Sequence, residues 1–82
     1  MVQLTTNIET LIDEGGEITL GKLAPFDCVA TACDDVNCLA MLVRRNGETL
    51  DQLIKRLDKA IRLAWTDDSF VDEVNHGPSN RL

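Results

Sequence analysis

Residues 26–65 read FDCVATACDDVNCLAMLVRRNGETLDQLIKRLDKAIRLAW, and two periodicities meet in them. Up to Arg45 the apolar residues form two short runs, 26–33 and 38–45, with Asp34-Asp35-Val36-Asn37 between them. Asp and Asn hydrogen-bond back to their own backbone and favour turns, so the pattern predicts a β-hairpin. After Thr49 the spacing changes. Leu50, Leu53, Ile54, Leu57, Ile61, Ala64 and Trp65 recur at helical steps and make one apolar face. Asp51, Gln52, Lys55, Arg56, Asp58, Lys59 and Arg62 fill the other side. Thr49-Leu50-Asp51-Gln52 has the form of a capping box, a hydroxyl at the cap and an amide at the third helical position. A helix over 50–65 is predicted. Asp51–Lys55 and Asp58–Arg62 are i,i+4 pairs with the acid first, the favourable order. Leu63 lies off the apolar stripe among Gln52, Arg56 and Lys59, and with Ala60 it widens that face toward a partner.

The hairpin register follows if Cys33 faces Cys38. Ala32 then faces Leu39, Ala30 faces Met41 and Cys28 faces Val43, which gives an apolar core face. Thr31–Ala40, Val29–Leu42 and an Asp27–Arg44 ion pair fall on the other face.

Outside this stretch the signals are shorter. Thr6-Asn7-Ile8-Glu9 is a second capping-box pattern, and Ile8, Leu11 and Ile12 follow at helical spacing before Gly15-Gly16. A short helix over 6–14 is expected, with a strand over 2–6 as the competing reading. Glu17-Ile18-Thr19-Leu20 alternates as a brief strand would, and Gly21 and Pro25 then interrupt regular structure. Thr66 to Ser69 ends or turns the long helix. Phe70, Val71 and Val74 suit one further helical turn capped by Asp68 or Ser69. The last residues, 76–82, are expected to be disordered. The fold class expected is α+β: a small antiparallel sheet, hairpin 26–33/38–45 plus strand 17–20, packed on helix 50–65 with a short N-terminal helix. It forms a single domain over residues 1–75.

Size and charge narrow the function. A chain of 82 residues holds one core, and a small one. Its formal net charge of −6 opposes general nucleic-acid binding and attraction to anionic membranes. The longest apolar run, Cys38 to Val43, is far too short to span a bilayer, and no signal-peptide pattern follows Met1. A cytoplasmic setting is expected, with Cys28, Cys33 and Cys38 as reduced thiols, although an oxidised Cys33–Cys38 pair is geometrically conceivable. Their spacing lacks the close pair of a zinc site, and the only His, His76, sits in the tail, so no metal, cofactor or Cys–His nucleophile is expected. Asp34-Asp35 and Asp67-Asp68 fall at turns, where Asp serves as a cap and lacks the burial a catalytic acid requires. Gly15-Gly16 and Gly21 match no phosphate-binding loop.

The bases cluster instead. Arg44, Arg45, Lys55, Arg56, Lys59 and Arg62 lie within one stretch, followed by the acids Asp67, Asp68, Asp72 and Glu73. The segment ETLDQLIKRLDKAI, following a strand and a turn, resembles HicB-type antitoxin domains over about a third of the chain. The DNA-binding segment that such antitoxins carry has no counterpart here. In size and charge the chain is also similar to accessory products of phages and other mobile elements. The function expected is a non-enzymatic protein-interaction or regulatory module. An acidic inhibitor imitating nucleic acid, and a small enzyme with an unrecognised site, are the alternatives. The expected interaction surface comprises Arg44, Lys55, Arg56, Lys59, Arg62 and Leu63, with Trp65, Phe70, Val71 and Val74. Protein is the expected partner class, including a second copy in a homodimer that uses the outer sheet face or edge and residues 65–74.

Overall fold

The computed structural model describes residues 6–74. The elements run α1 (Thr6–Asp13), β1 (Glu17–Leu23), β2 (Phe26–Cys33), β3 (Cys38–Val43), α2 (Leu50–Asp67) and β4 (Val71–Asp72). The four strands form one sheet in that order. β1, β2 and β3 are an antiparallel meander, whereas β4 lies parallel to β3. The sheet is therefore mixed rather than purely antiparallel. Parallel strands need a long crossover connection, and α2 supplies it between β3 and β4. Both helices pack on one face, α2 over β2 and β3, and α1 against α2 and β1.

The centre of that face is built from small residues. Ala30, Ala32 and Ala40 are fully buried and leave room for α2 to approach. α2 fills the space with Leu53, Leu57, Ile61 and Ala64, joined by Leu11 from α1 and Leu42 from β3. Leu50 and Trp65, the two ends of the predicted apolar stripe, are 45% and 41% exposed, so the buried face is the middle of that stripe.

The hairpin pairs Cys33 with Cys38 as expected, but the two are joined in a disulfide rather than held as reduced thiols, because the pairing brings their Cα atoms to 3.9 Å; Cys28 alone of the three is a free thiol, packed against the core. The rest of the register differs from the expectation by one residue. Ala32 pairs with Ala40, Thr31 with Met41, Ala30 with Leu42 and Val29 with Val43, because a bulge at Leu39 absorbs one residue. Ala40 and Leu42 therefore face the core, and Met41 and Val43 share the outer face with Val29 and Thr31. The slip also removes the expected Asp27–Arg44 pairing, since the Arg44 N–H bonds the Cys28 carbonyl.

Other expectations shift for equally local reasons. α1 starts at Thr6, in line with the helical reading, and ends at Asp13, one residue before the expected limit. Gly15 takes φ +96° after it, and a Cβ on Gly16 would sit 2.5 Å from Leu11 Cδ1 and 2.9 Å from the Cys33 carbonyl oxygen. Gly16 is thus where α1 closes on β2. β1 does not stop at Leu20 but continues through Gly21, φ +150°, to Leu23, and a register shift follows Gly21. α2 has the predicted capping box: Gln52 N–H donates to Thr49 Oγ1 at 3.1 Å, and Thr49 N–H to Gln52 Oε1 at 2.9 Å. The helix runs two residues past Trp65, to Asp67, and Asp68 caps it in the left-handed conformation. Phe70 to Val74 make no further helical turn. Val71 pairs with Ala40 and packs on the core, and Asp72 pairs with Met41. Part of the surface expected to bind a second copy is thereby used within the chain. The expected tail, 76–82, lies outside the described residues, as does the competing strand over 2–6 except for Thr6, which is helical.

Asp58 is not the outer partner of Arg62. It is 9% exposed, and its carboxylate accepts from the Ile8 backbone N–H at 2.8 Å and from Asn7 Nδ2 at 2.9 Å. The N–H groups of a helix's first turn have no intrahelical acceptor, so an acid from α2 supplies one to α1.

Candidate functional site

β3 runs between one end of the molecule where arginines and acids meet and another where acids line a cleft without a base. Arg44 and Arg45 follow its last residue. The Asp34–Asn37 turn precedes its first residue, roughly 20 Å away at strand rise. α2 starts beside the arginines and ends beside the acidic turn.

At the arginine end the charges bond one another. Arg56, on the first turns of α2, donates Nε to Glu48 Oε2 at 2.8 Å and Nη2 to Glu48 Oε1 at 3.0 Å, a bidentate pair. Its Nη1 reaches Glu73 Oε2 at 3.0 Å, and Nη2 also reaches the Val43 carbonyl at 2.9 Å. Glu73 accepts from the Val43 N–H through Oε1 at 2.9 Å, while its own N–H donates to the Met41 carbonyl at 2.7 Å. One side chain therefore continues the β3–β4 ladder and also holds α2. Glu48 accepts from the Arg45 N–H at 2.9 Å, and its side chain is only 9% exposed. The Arg56 guanidinium, followed by the Arg45 N–H and the charges of both arginines, lowers the Glu48 carboxyl from 4.5 to about 2, against the opposing effect of burial. Glu48, through its hydrogen bond, and Glu73, mainly through its charge, raise Arg56 in return. An open groove of about 670 Å³ lies beside this network, lined by residues including Phe26, Asp27, Cys28, Arg44 and Arg45. Arg44 donates Nε to the Glu48 carbonyl at 2.7 Å, and Arg45 lies 3.9 Å from Glu73.

The acidic end is arranged differently. Asp34 Oδ1 accepts from the Val36 N–H at 2.8 Å and the Asn37 N–H at 2.6 Å, and the Asp34 N–H bonds the Asn37 carbonyl at 2.8 Å. The Asn37 and then the Val36 N–H hold the Asp34 carboxyl below its ordinary value. This turn lifts Val36 into solvent, 83% exposed. Val36 lines a cleft of about 240 Å³ with Asp34, Asp35, Leu11, Glu14 and Trp65. Asp67 and Asp68 close α2 just after Trp65, and Glu17 pairs with Cys33 at the base of the turn. None of these acids forms an ion pair among the described residues.

The expected interaction surface is therefore divided. Arg56 and Val71 are turned inward. Arg44 lines the groove, and Lys55 pairs with Asp51 at 3.2 Å in solvent. Lys59 and Arg62 are exposed, Leu63 and Val74 half-buried, and Phe70 50% exposed. Trp65 alone of that set joins the acidic cleft. Val36 and its acidic neighbours were missed. The available signal was an apolar residue held between turn-forming Asp and Asn residues, where burial in the core is not available.

Among the described residues no group of three His, Cys, Asp or Glu side chains is placed to hold a metal ion, and no helix is long and apolar enough to cross a membrane. No protein-family model, curated protein or solved structure matches the chain, so the likeness to HicB-type antitoxin domains rests on the sequence pattern alone.

Proposed function

We propose that this chain is a small acidic protein-interaction or regulatory module without enzymatic activity. The observation that carries the reading is the arrangement at the acidic end, where Val36 and Trp65 stand in water around one cleft. Large apolar side chains held outward on a fixed turn and a helix end gain free energy when a partner covers them. The buried charged groups support the same reading from the other side. Arg56, Glu48 and Glu73 spend their hydrogen bonds on β3, β4 and the loop between β3 and α2, and Asp58 spends its own on α1. Such bonding suits a scaffold better than a proton-transfer site, which needs an acid or base aimed at a substrate.

A photo-crosslinking residue at Val36 tests this, with Lys22, toward the far end of β1, as the control position. Expressed in its native cell, the Val36 variant is expected to give a discrete protein adduct and the Lys22 variant none. Equal adducts at both positions, or none at either, would sink the reading.

A further inference from the structure

We infer that the cleft between Leu11, Val36 and Trp65 receives a basic segment of a partner protein, with one apolar side chain set between Lys or Arg residues. The inference rests on the interaction-module reading and adds the occupant.

Size speaks first. Ligand pockets for small molecules usually measure about 300–1,000 Å³ and enclose most of the ligand. This cleft, about 240 Å³, lies below that range. It suits one inserted side chain whose backbone stays outside. Its apolar surfaces are Leu11, 1% exposed, with Trp65 and the tip residue Val36 in water. An aliphatic anchor placed there would remove Trp65 and Val36 from solvent at once and rest on Leu11, which is already buried.

Charge then selects the flanks of that segment. Glu14, Asp34 and Asp35 line the cleft, while Glu17 pairs with Cys33 next to Asp34, and Asp67 and Asp68 end the helix that carries Trp65. The nearest base along the chain is Arg62, one turn before Trp65, and it is not part of the lining. Phosphate backbones and anionic membranes are repelled by such a surface, whereas Lys and Arg side chains are drawn to it. A second copy fits less well. Its Arg56 is already bonded to Glu48 and Glu73, its Arg44 is held by the Glu48 carbonyl, and its exposed Lys59 and Arg62 stand beside Leu63, which is half-buried and so no free aliphatic anchor.

The cleft is also pre-formed. The hydrogen bonds that Asp34 Oδ1 accepts from the Val36 and Asn37 N–H groups and the Cys33–Cys38 disulfide fix the turn from its tip to its base. A partner therefore has little chain to order on this side, which lowers the entropic cost of binding.

Trp65 is the only tryptophan, so its emission reports on the cleft directly. The intact protein would be titrated with a synthetic peptide that has one leucine in a run of lysines and arginines. Two controls would replace the leucine by glycine, or every base by glutamate. The expected result is a saturable blue shift with the first peptide only, weakened by salt. Val36→Asp, and separately Asp35→Lys, should each reduce that affinity about tenfold or more, with unchanged thermal melts. Equal binding of the glycine or glutamate peptide, or no response to any peptide, overturns the inference. A blue shift on concentrating the protein alone also overturns it, because the occupant would then be a second copy. If Val36 still crosslinks to a cellular partner while no basic peptide moves Trp65, the occupant is wrong and the module reading stands.

Discussion

At the arginine end, Arg44, Arg45 and Arg56 meet Glu48 and Glu73, and bonds of 2.7–3.0 Å join them to each other and to backbone. At the other end, Glu14, Asp34 and Asp35 surround a cleft with no base in its lining. Composition alone would rank the arginine end as the binding surface, because its charge is the rarer kind in an acidic chain. Bonding reverses the ranking. A charge that already holds two elements together costs stability when a partner borrows it. An unpaired charge beside exposed apolar side chains is free to act on another molecule.

The largest test of this comparison is removal of Arg56. Arg56→Met keeps much of the aliphatic stem but leaves the Glu48 and Glu73 carboxylates facing each other's charge and the Val43 carbonyl without this donor. Breaking a largely buried pair from one side costs about 3–5 kcal/mol, and this side chain is 20% exposed. Denaturant melts should show a loss in that range. A loss under about 1 kcal/mol would mean the network is ornamental, and its arginines would become available for binding.

Acid should dissolve the same network in part. The folded Glu48 carboxyl lies at about 2, below its ordinary 4.5. A lowered value means that its contribution is complete above the ordinary value and disappears as pH falls from about 4.5 to about 2. The size is about 3 kcal/mol, at the low end of the range for Arg56→Met, because Arg56 keeps its bonds to Glu73 and Val43. The clean readout is the difference in stability between the native protein and Glu48→Gln across that window. It should shrink on acidification. A constant difference would place the Glu48 contribution in packing rather than charge.

Periodicity explains which parts of the fold were legible. The Thr49 capping box and the Leu53–Leu57–Ile61 stripe are local and repetitive, so α2 could be read from spacing alone. The Leu39 bulge could not, because Cys33 facing Cys38 is compatible with either register and only packing against α2 selects one. β4 was misread for a similar reason. Two strand residues have no periodicity, and Val71 acquires its meaning from Ala40 beside it. Arg56 and Asp58 sat at positions a helical wheel assigns to water. Their true partners, Glu73 and Ile8, lie 17 and 50 residues away in sequence. The cleft was half legible. Trp65 stood out by type, but its neighbour Val36 comes from the turn between β2 and β3, far from α2 in sequence.

The smallest expected effect sharpens the comparison from the acidic end. Glu14→Gln with Asp35→Asn removes two of the acids lining the cleft and brings the formal charge from −6 to −4. Asp34 is left in place because its carboxylate holds the turn. Neither substituted acid forms an ion pair among the described residues, so no attraction is lost. What changes is repulsion among like charges at one end, which the native protein tolerates and the double variant relieves. Surface changes of this kind fall within about 0.5 kcal/mol, and relieved repulsion pushes the sign toward greater stability, most visibly at low salt. Paired urea melts at low and high salt would measure it. A gain that fades with salt supports an end whose charge the fold does not use. A loss above about 1 kcal/mol would show that these acids, like Glu48, serve the fold, and the two ends would no longer differ in kind.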